Sequence, residues 1–166
     1  DLSGLQWSAA VNAADTMASW TWGVRPISSL AAIERDARAF RAKHGRLGML
    51  VVDYVQLVRN GIDNLVQDLE HTTRGLKLLA AELDCVVVMV SQPDKASSRD
   101  KTELGLYDGK GSGAIASDCD LMLVPMRDPQ DPSRAGIAAP GFRHGEAFRL
   151  DLGALRFSGA RMAFEA

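Results

Sequence analysis

Positive charge is not in excess in this chain of 166 residues: 19 Lys and Arg stand against 21 Asp and Glu, a formal charge of -2. No global basic field can therefore drive non-specific contact with a polyanion, and any nucleic-acid contact has to come from a local loop. Cysteine is scarce as well. Cys85 and Cys119 stand far apart, form no Cys-x-x-Cys pair and each adjoin an apolar run, as small core residues do. That excludes a disulfide framework and fits a reducing cytoplasm. His44, His71 and His144 are scattered without partners at metal-ligand spacing, so no zinc cage is expected. No apolar run approaches the roughly 20 residues of a membrane-spanning helix, and the start lacks the basic, apolar, small-residue order of a signal peptide. No membrane contact is expected.

What is present is a composition for folding. Hydrophobic residues make up 46% and charged residues 24%, ordinary values for a soluble domain, and the length suits one core. Residues 2–22 carry Leu5, Ala9, Ala13, Met17 and Trp20 near helical spacing before a break at Gly23 and Pro26. A second helix is predicted from an N-cap at Ser28 or Ser29, with Leu30, Ile33, Ala37 and Phe40 on one face and a basic last turn closed by Gly45. Residues 49–52 form an unbroken apolar run, the pattern of a strand covered by helices on both sides of a parallel sheet. A helix follows over 64–83, with Leu65, Leu69, Leu76, Leu79 and Leu83 along one side, and a second buried strand over 85–90. The order helix, strand, helix, strand predicts an α/β domain with a mostly parallel sheet.

Residues 93–113 are polar and glycine-rich, long for a loop without a task. The apolar run at 121–126 contains Pro125, which belongs at a strand end or edge because it lacks a donor. Residues 127–146, with three prolines and three glycines, read as an exposed excursion. The segments 147–152 and 160–164, joined through Ser158 and Gly159, predict a closing antiparallel pair.

Met49-Leu50-Val51-Val52 running into Asp53 is the pattern of a Walker B strand, in which a buried parallel strand fixes an acid at the carboxyl end of the sheet, where it can hold a magnesium-bound water toward nucleotide phosphates. Many structural strands also end in Asp, to cap the next turn. The extension Asp53-Tyr54-Val55-Gln56-Leu57 resembles the Asp-Tyr-Leu-Gln-Leu signature of DnaB-type replicative helicases. Upstream, RDARAFRAKHGRLGMLVVDY is similar to the helix and strand that lead into that signature. Downstream, LKLLAAELDCVVVMVSQ is similar to the family's helix and Ser-Gln strand end, and SGAIASDCDLMLVPMRD to its Ser-Gly-Ser-Ile-Glu-Gln-Asp-Ala-Asp segment and following strand. These likenesses are colinear over residues 27–128 and looser to 164.

The resemblance implies a RecA-like P-loop NTPase core, with ATP and Mg2+ as cofactors and with single-stranded DNA and identical subunits in a homo-hexamer as partners. It implies magnesium coordination by Asp53 and γ-phosphate sensing by Gln92, whose amide can both donate and accept. Asp108-Gly109-Lys110-Gly111-Ser112-Gly113 falls on the family's DNA-binding loop. Lys110 takes its arginine position, Gly111 replaces a glutamate, and Lys110, Gly111 and Gly113 are the residues expected at the phosphodiester backbone. Arg156, in GALRFSG, falls on the family's arginine finger, but Ala154 and Phe157 stand where the family has lysine and asparagine. A plain surface arginine, an ordinary glycine-rich loop and a polar strand terminus are the other readings of Arg156, 108–113 and Gln92.

Nowhere does the sequence contain Gly-x-x-x-x-Gly-Lys-Ser/Thr, whose amides cradle phosphates. The family's catalytic glutamate motif is missing too. The expectation is one partial RecA-like motor domain over residues 1–166, truncated on its N-terminal side, from a cytoplasmic, nucleoid-associated helicase. A catalytically inactive DNA-binding or assembly module derived from such a motor is the alternative.

Overall fold

The computed structural model describes residues 4–92, 112–158 and 163–165. Its elements run α1 (Gly4–Ala18), α2 (Leu30–His44), β1 (Met49–Val52), a 3-10 turn (Val55–Leu57), α3 (Leu65–Leu83), β2 (Val86–Met89), α4 (Ser112–Asp118), β3 (Leu121–Arg127), β4 (Arg134–Phe142), β5 (Phe148–Ser158) and β6 (Ala163–Glu165).

The core forms where α2, α3 and β1 meet. Leu30, Ile33 and Ala37 of α2 recur at helical spacing and are buried against Leu69, Leu76, Leu79 and Leu83 of α3, with Val52, Val55 and Val58 beneath them. Phe40 joins at the margin, but Leu65 faces solvent. Gly75 lets the two helices approach, because a Cβ there would collide with the Leu30 side chain. Across the surface of the same seam Arg38 forks onto both carboxylate oxygens of Glu82 at 2.7 Å each, and this holds Glu82 below the usual carboxylate range.

Helix ends follow local chemistry. Gly45 closes α2 at a positive φ of 82°, where L side chains are strained. Asn64 caps α3 by accepting from Val66 N (3.0 Å) and Gln67 N (3.3 Å). Ser29 occupies the expected N-cap of α2, yet its side chain makes no capping bond. The Leu30 N–H donates instead to Asn60 Oδ1 at 2.9 Å, so a residue from beyond β1 caps the helix.

Three expectations are corrected. The sheet is not mostly parallel. Among the described residues the only parallel pairing is β1 with β2, in register Val52 opposite Met89, while β3-β4-β5-β6 form a four-stranded antiparallel sheet. Residues 127–146 are not a mere excursion, because they contain β4, an inner strand of that sheet. A bulge in the β3 pairing, where Met122 meets Gly141 but Val124 meets Ala138, takes Pro140 and its missing donor out of the ladder. Gly136 has no room for a Cβ beside the Leu150 carbonyl and Asp151. Prolines and glycines that read as loop composition thus serve close strand contact. The closing pair is antiparallel as expected, but its register differs: residues 148–150 pair with β4, and β6 pairs with Arg156, Phe157 and Ser158 at the far end of β5. Pro125 does lie on the edge strand β3.

Burial corrects the remaining expectation. Among the described residues β1 and β2 are covered on one face only: Met49, Val51, Val86, Val88 and Val90 are exposed, as are Trp7, Trp20 and Trp22 in or after α1. No helix among the described residues is long and apolar enough to cross a membrane.

Candidate nucleotide site

The parallel pairing of β1 and β2 sets the geometry. Because Val52 stands opposite Met89, the residues that follow both strands emerge at the same, carboxyl end of the pair. Asp53 is the first residue past β1, and it is exposed. Among the described residues its side chain has no hydrogen-bonding or ion-pair partner. The peptide between Asp53 and Tyr54 is cis.

The strand pair does not stop at the ends of β1 and β2. The Val90 N–H donates to the Val52 carbonyl at 3.0 Å, and the Val55 N–H, in the 3-10 turn, donates to the Val90 carbonyl at 2.9 Å. The Gln56 side chain then continues the ladder: its Nε2 donates to Ser91 Oγ (2.8 Å) and to the Gln92 carbonyl (3.0 Å), while its Oε1 accepts from the Gln92 N–H (3.4 Å). Gln92 is exposed and follows the same end of the strand pair as Asp53. The structure therefore brings Asp53 and Gln92 to one end of one strand pair. Gln56 was present in the sequence only as part of a signature, and no residue pattern marked it as the bridge.

A buried polar cluster fixes the segment that follows the 3-10 turn. Asn60 Nδ2 donates to Asp68 Oδ1 (2.8 Å) and Thr72 Oγ1 (2.9 Å), and the Asn60 N–H donates to both Asp68 carboxyl oxygens (3.2 and 3.3 Å). Asp68 and Thr72 are essentially inaccessible. With the Leu30 bond, Asn60 ties α2, α3 and the chain leaving Asp53 into one unit.

Lys110 and Gly111 lie outside the described residues. Gly113 is described, and it corrects the loop reading at that position by standing at the start of α4, with open space where a Cβ would go. α4 is anchored firmly. Ile115 enters the core, Thr73 Oγ1 donates to Asp118 Oδ2 at 2.6 Å, and Arg143 Nη2 donates to the Ser117 carbonyl at 2.8 Å. Lys77 pairs with Asp120, and that hydrogen bond holds the Asp120 carboxyl below its ordinary range. A shallow cavity of about 190 Å³ beside α4 is lined by Glu70, Arg74, Gly113, Ser117 and Asp118. Neither Asp53 nor Gln92 lines it. Arg156 is exposed on β5 opposite Arg134 and Glu165, on the antiparallel sheet rather than at the strand ends that hold Asp53 and Gln92.

As to metals, no group of three or more His, Cys, Asp or Glu among the described residues converges on a point. A single carboxylate suits magnesium, which keeps several waters and is commonly held through one or two carboxylates together with substrate phosphates.

Comparison with known proteins places this geometry. The family model described as the DnaB-like helicase C terminal domain matches residues 1–156. The replicative DNA helicase DnaB of Rickettsia bellii (strain RML369-C) is 36% identical over 126 residues, 74% of this chain and 25% of that protein. Its namesake from Synechocystis sp. (strain ATCC 27184 / PCC 6803 / Kazusa) is 43% identical over 81 residues, 48% of this chain and 9% of that protein. Among solved structures, one described as an ATPase domain superposes with a TM-score of 0.84 at 22% identity, covering 99% of this chain and 61% of that one. A DnaB-like replicative helicase solved with its interactions with primase gives a TM-score of 0.81 at 21% identity, covering 96% and 40%. At those identities the structural likeness shows the fold alone. This chain spans a quarter of the length of the Rickettsia relative and less of the Synechocystis one. The family match takes in α1, upstream of where the motif likeness starts, and reaches Arg156. The chain belongs to the DnaB-like helicase C-terminal domain family.

Proposed function

We propose that this chain is part of the ATP-driven motor of a hexameric replicative DNA helicase that translocates on single-stranded DNA and unwinds duplex. The observation that carries the reading is the emergence of Asp53 and Gln92 at the same end of the parallel pair β1–β2, in a chain of this family. In that motor Asp53 would help to hold Mg2+ and Gln92 would address the γ-phosphate of ATP. Bound magnesium neutralises charge on the phosphates. The protein's part is to fix a hard anionic ligand and a neutral amide side by side on strand ends that the core below them keeps rigid. Arg156, exposed on a different sheet, is suited to reach a neighbouring subunit in the ring, where its always charged guanidinium would meet phosphoryl oxygens. The proposed setting is cytoplasmic and nucleoid-associated, with single-stranded DNA and identical subunits as partners.

Lys110, Gly111 and Gly113 are proposed to track the DNA backbone, Gly113 from the anchored start of α4. In the full-length protein Lys110→Ala is expected to weaken single-strand binding about equally for all sequences and to lower the salt dependence by roughly one phosphate contact. Fluorescence anisotropy at several salt concentrations measures both. An unchanged affinity and slope would remove Lys110 from the DNA path. The inactive-module alternative predicts DNA binding by the full-length protein without any phosphate release that single-stranded DNA stimulates.

The 166 residues alone are expected not to bind ATP tightly or hydrolyse it, since the sequence holds no P-loop nest to organise the phosphates that Asp53 would serve. Isothermal titration with magnesium and a non-hydrolysable ATP analogue should show no micromolar binding. Micromolar binding by this chain would mean that other residues in it supply the phosphate cradle.

A further inference from the structure

We propose that Gln56 is a positioning residue that sets Gln92 for its work on the terminal phosphate, an inference that rests on the nucleotide-site reading above. A main-chain ladder joins the two strand ends only as far as Val55 and Val90. Beyond that point the main chains of the 3-10 turn and of residues 91–92 run on without further main-chain bonds to each other, and Gln92 sits at the end of this unladdered stretch. The Gln56 carboxamide stands in for the missing peptide group. It offers a donor to the Gln92 carbonyl at 3.0 Å and an acceptor to the Gln92 N–H at 3.4 Å, so that both backbone polar groups of one residue meet one side chain. Its donation to Ser91 Oγ at 2.8 Å secures the residue before. Gln56 itself cannot drift, because Val55 beside it is fully buried and the 3-10 turn is closed by the Leu57 N–H on Tyr54 O and the Val58 N–H on Val55 O.

The consequence concerns Gln92. With its main chain held on both polar groups, the Gln92 side chain starts from a fixed Cα position and direction relative to Asp53, and a side chain that senses a phosphate needs placement to within a fraction of an ångström. Without the clamp, residues 91–92, which follow β2, lose three hydrogen bonds. Gln56 touches no ligand in this scheme and acts only through Gln92.

The test is a double-mutant cycle in the full-length protein, reading kcat and KM for ATP hydrolysis in the presence of single-stranded DNA, with nucleotide binding measured separately. Gln56→Met keeps the length and apolar stem but removes all three bonds. Gln56→Glu, which keeps the acceptor and loses the donors, serves as the second variant should the methionine impair ring assembly. Either is expected to lower kcat between about tenfold and about a hundredfold while leaving nucleotide affinity within about twofold. In a Gln92→Ala background the same substitution should have no further effect on kcat, because the group it positions is gone. A purely structural role for Gln56 would give additive losses, or would lower assembly and nucleotide affinity together, and either result overturns the proposal. If Gln92→Ala lowers kcat but Gln56→Met and Gln56→Glu do not, the positioning role fails and the nucleotide-site reading stands. If Gln92→Ala itself leaves turnover unchanged, the reading of Gln92 fails and the role of Gln56 fails with it.

Discussion

Asn60→Ala is expected to destabilise the folded chain by about 2–4 kcal/mol, a large loss for a residue on a loop. Three buried groups lose a partner at once. Asp68 gives up the 2.8 Å bond from Nδ2 and keeps only the longer ones from the Asn60 main chain, Thr72 Oγ1 gives up its donor, and the Leu30 N–H at the start of α2 gives up its acceptor. Asp68 and Thr72 are at most 1% exposed, so water cannot replace what is lost without opening the α2–α3 seam. The loss of a cap contributes on the order of 1 kcal/mol of the total, and the weakened bonding of the buried Asp68 carboxyl and Thr72 hydroxyl contributes the rest. Coupling should be visible: Asn60→Ala combined with Asp68→Leu is expected to cost less than the sum of the two single changes by about 1 kcal/mol or more, because the carboxyl that lost the Nδ2 bond is then absent. Urea unfolding of the 166-residue chain and its variants measures this from the transition midpoints at constant m-value. A loss below about 0.5 kcal/mol for Asn60→Ala would show that the cluster is replaced by solvent and does not hold the segment after Asp53.

That cluster also shows where sequence reasoning stops. Strand β1, helix α3 and the Asp53 position were legible because each is local: an apolar run into an acid, or leucines at helical spacing. The role of Asn60 was not, since its partners Leu30, Asp68 and Thr72 are 30, 8 and 12 residues away and no periodicity links them. Asp68 and Thr72 are polar residues among the leucines of α3, yet both are interior. Gln56 belonged to a recognisable signature, but only the parallel register of β1 and β2 brings its amide to Gln92. Strand β4 escaped the reading for a different reason. Pro140 and Gly136 sit in β4 at a bulge and at a close strand approach, so residues that normally end strands are there because a strand needed them. A reading based on local composition assigns such a segment to loop. The one-sided cover of β1 and β2 was likewise invisible, because unbroken apolar runs carry no record of what stands on each face. Lys110 and Gly111 fall outside the described residues, and their part in DNA binding stays a proposal carried by the resemblance and by the anchoring of α4 next to them.

Whether Asp53 serves a nucleotide site is tested most directly by phosphate release from the full-length protein and from its Asp53→Asn variant, measured with saturating single-stranded DNA and varied magnesium. Asparagine keeps the shape of the side chain and removes its charge, so the fold and the ladder from Val55 to Val90 should survive and subunit assembly should be unchanged. What is lost is the anionic ligand, and with it several kcal/mol of charge stabilisation in the transition state. kcat is therefore expected to fall roughly 10²–10³-fold or more, with a higher magnesium requirement for whatever activity remains. Turnover within about twofold of the unmodified protein, at the same magnesium requirement, would contradict the assignment of Asp53 and of the β1–β2 strand ends as part of the motor's nucleotide site.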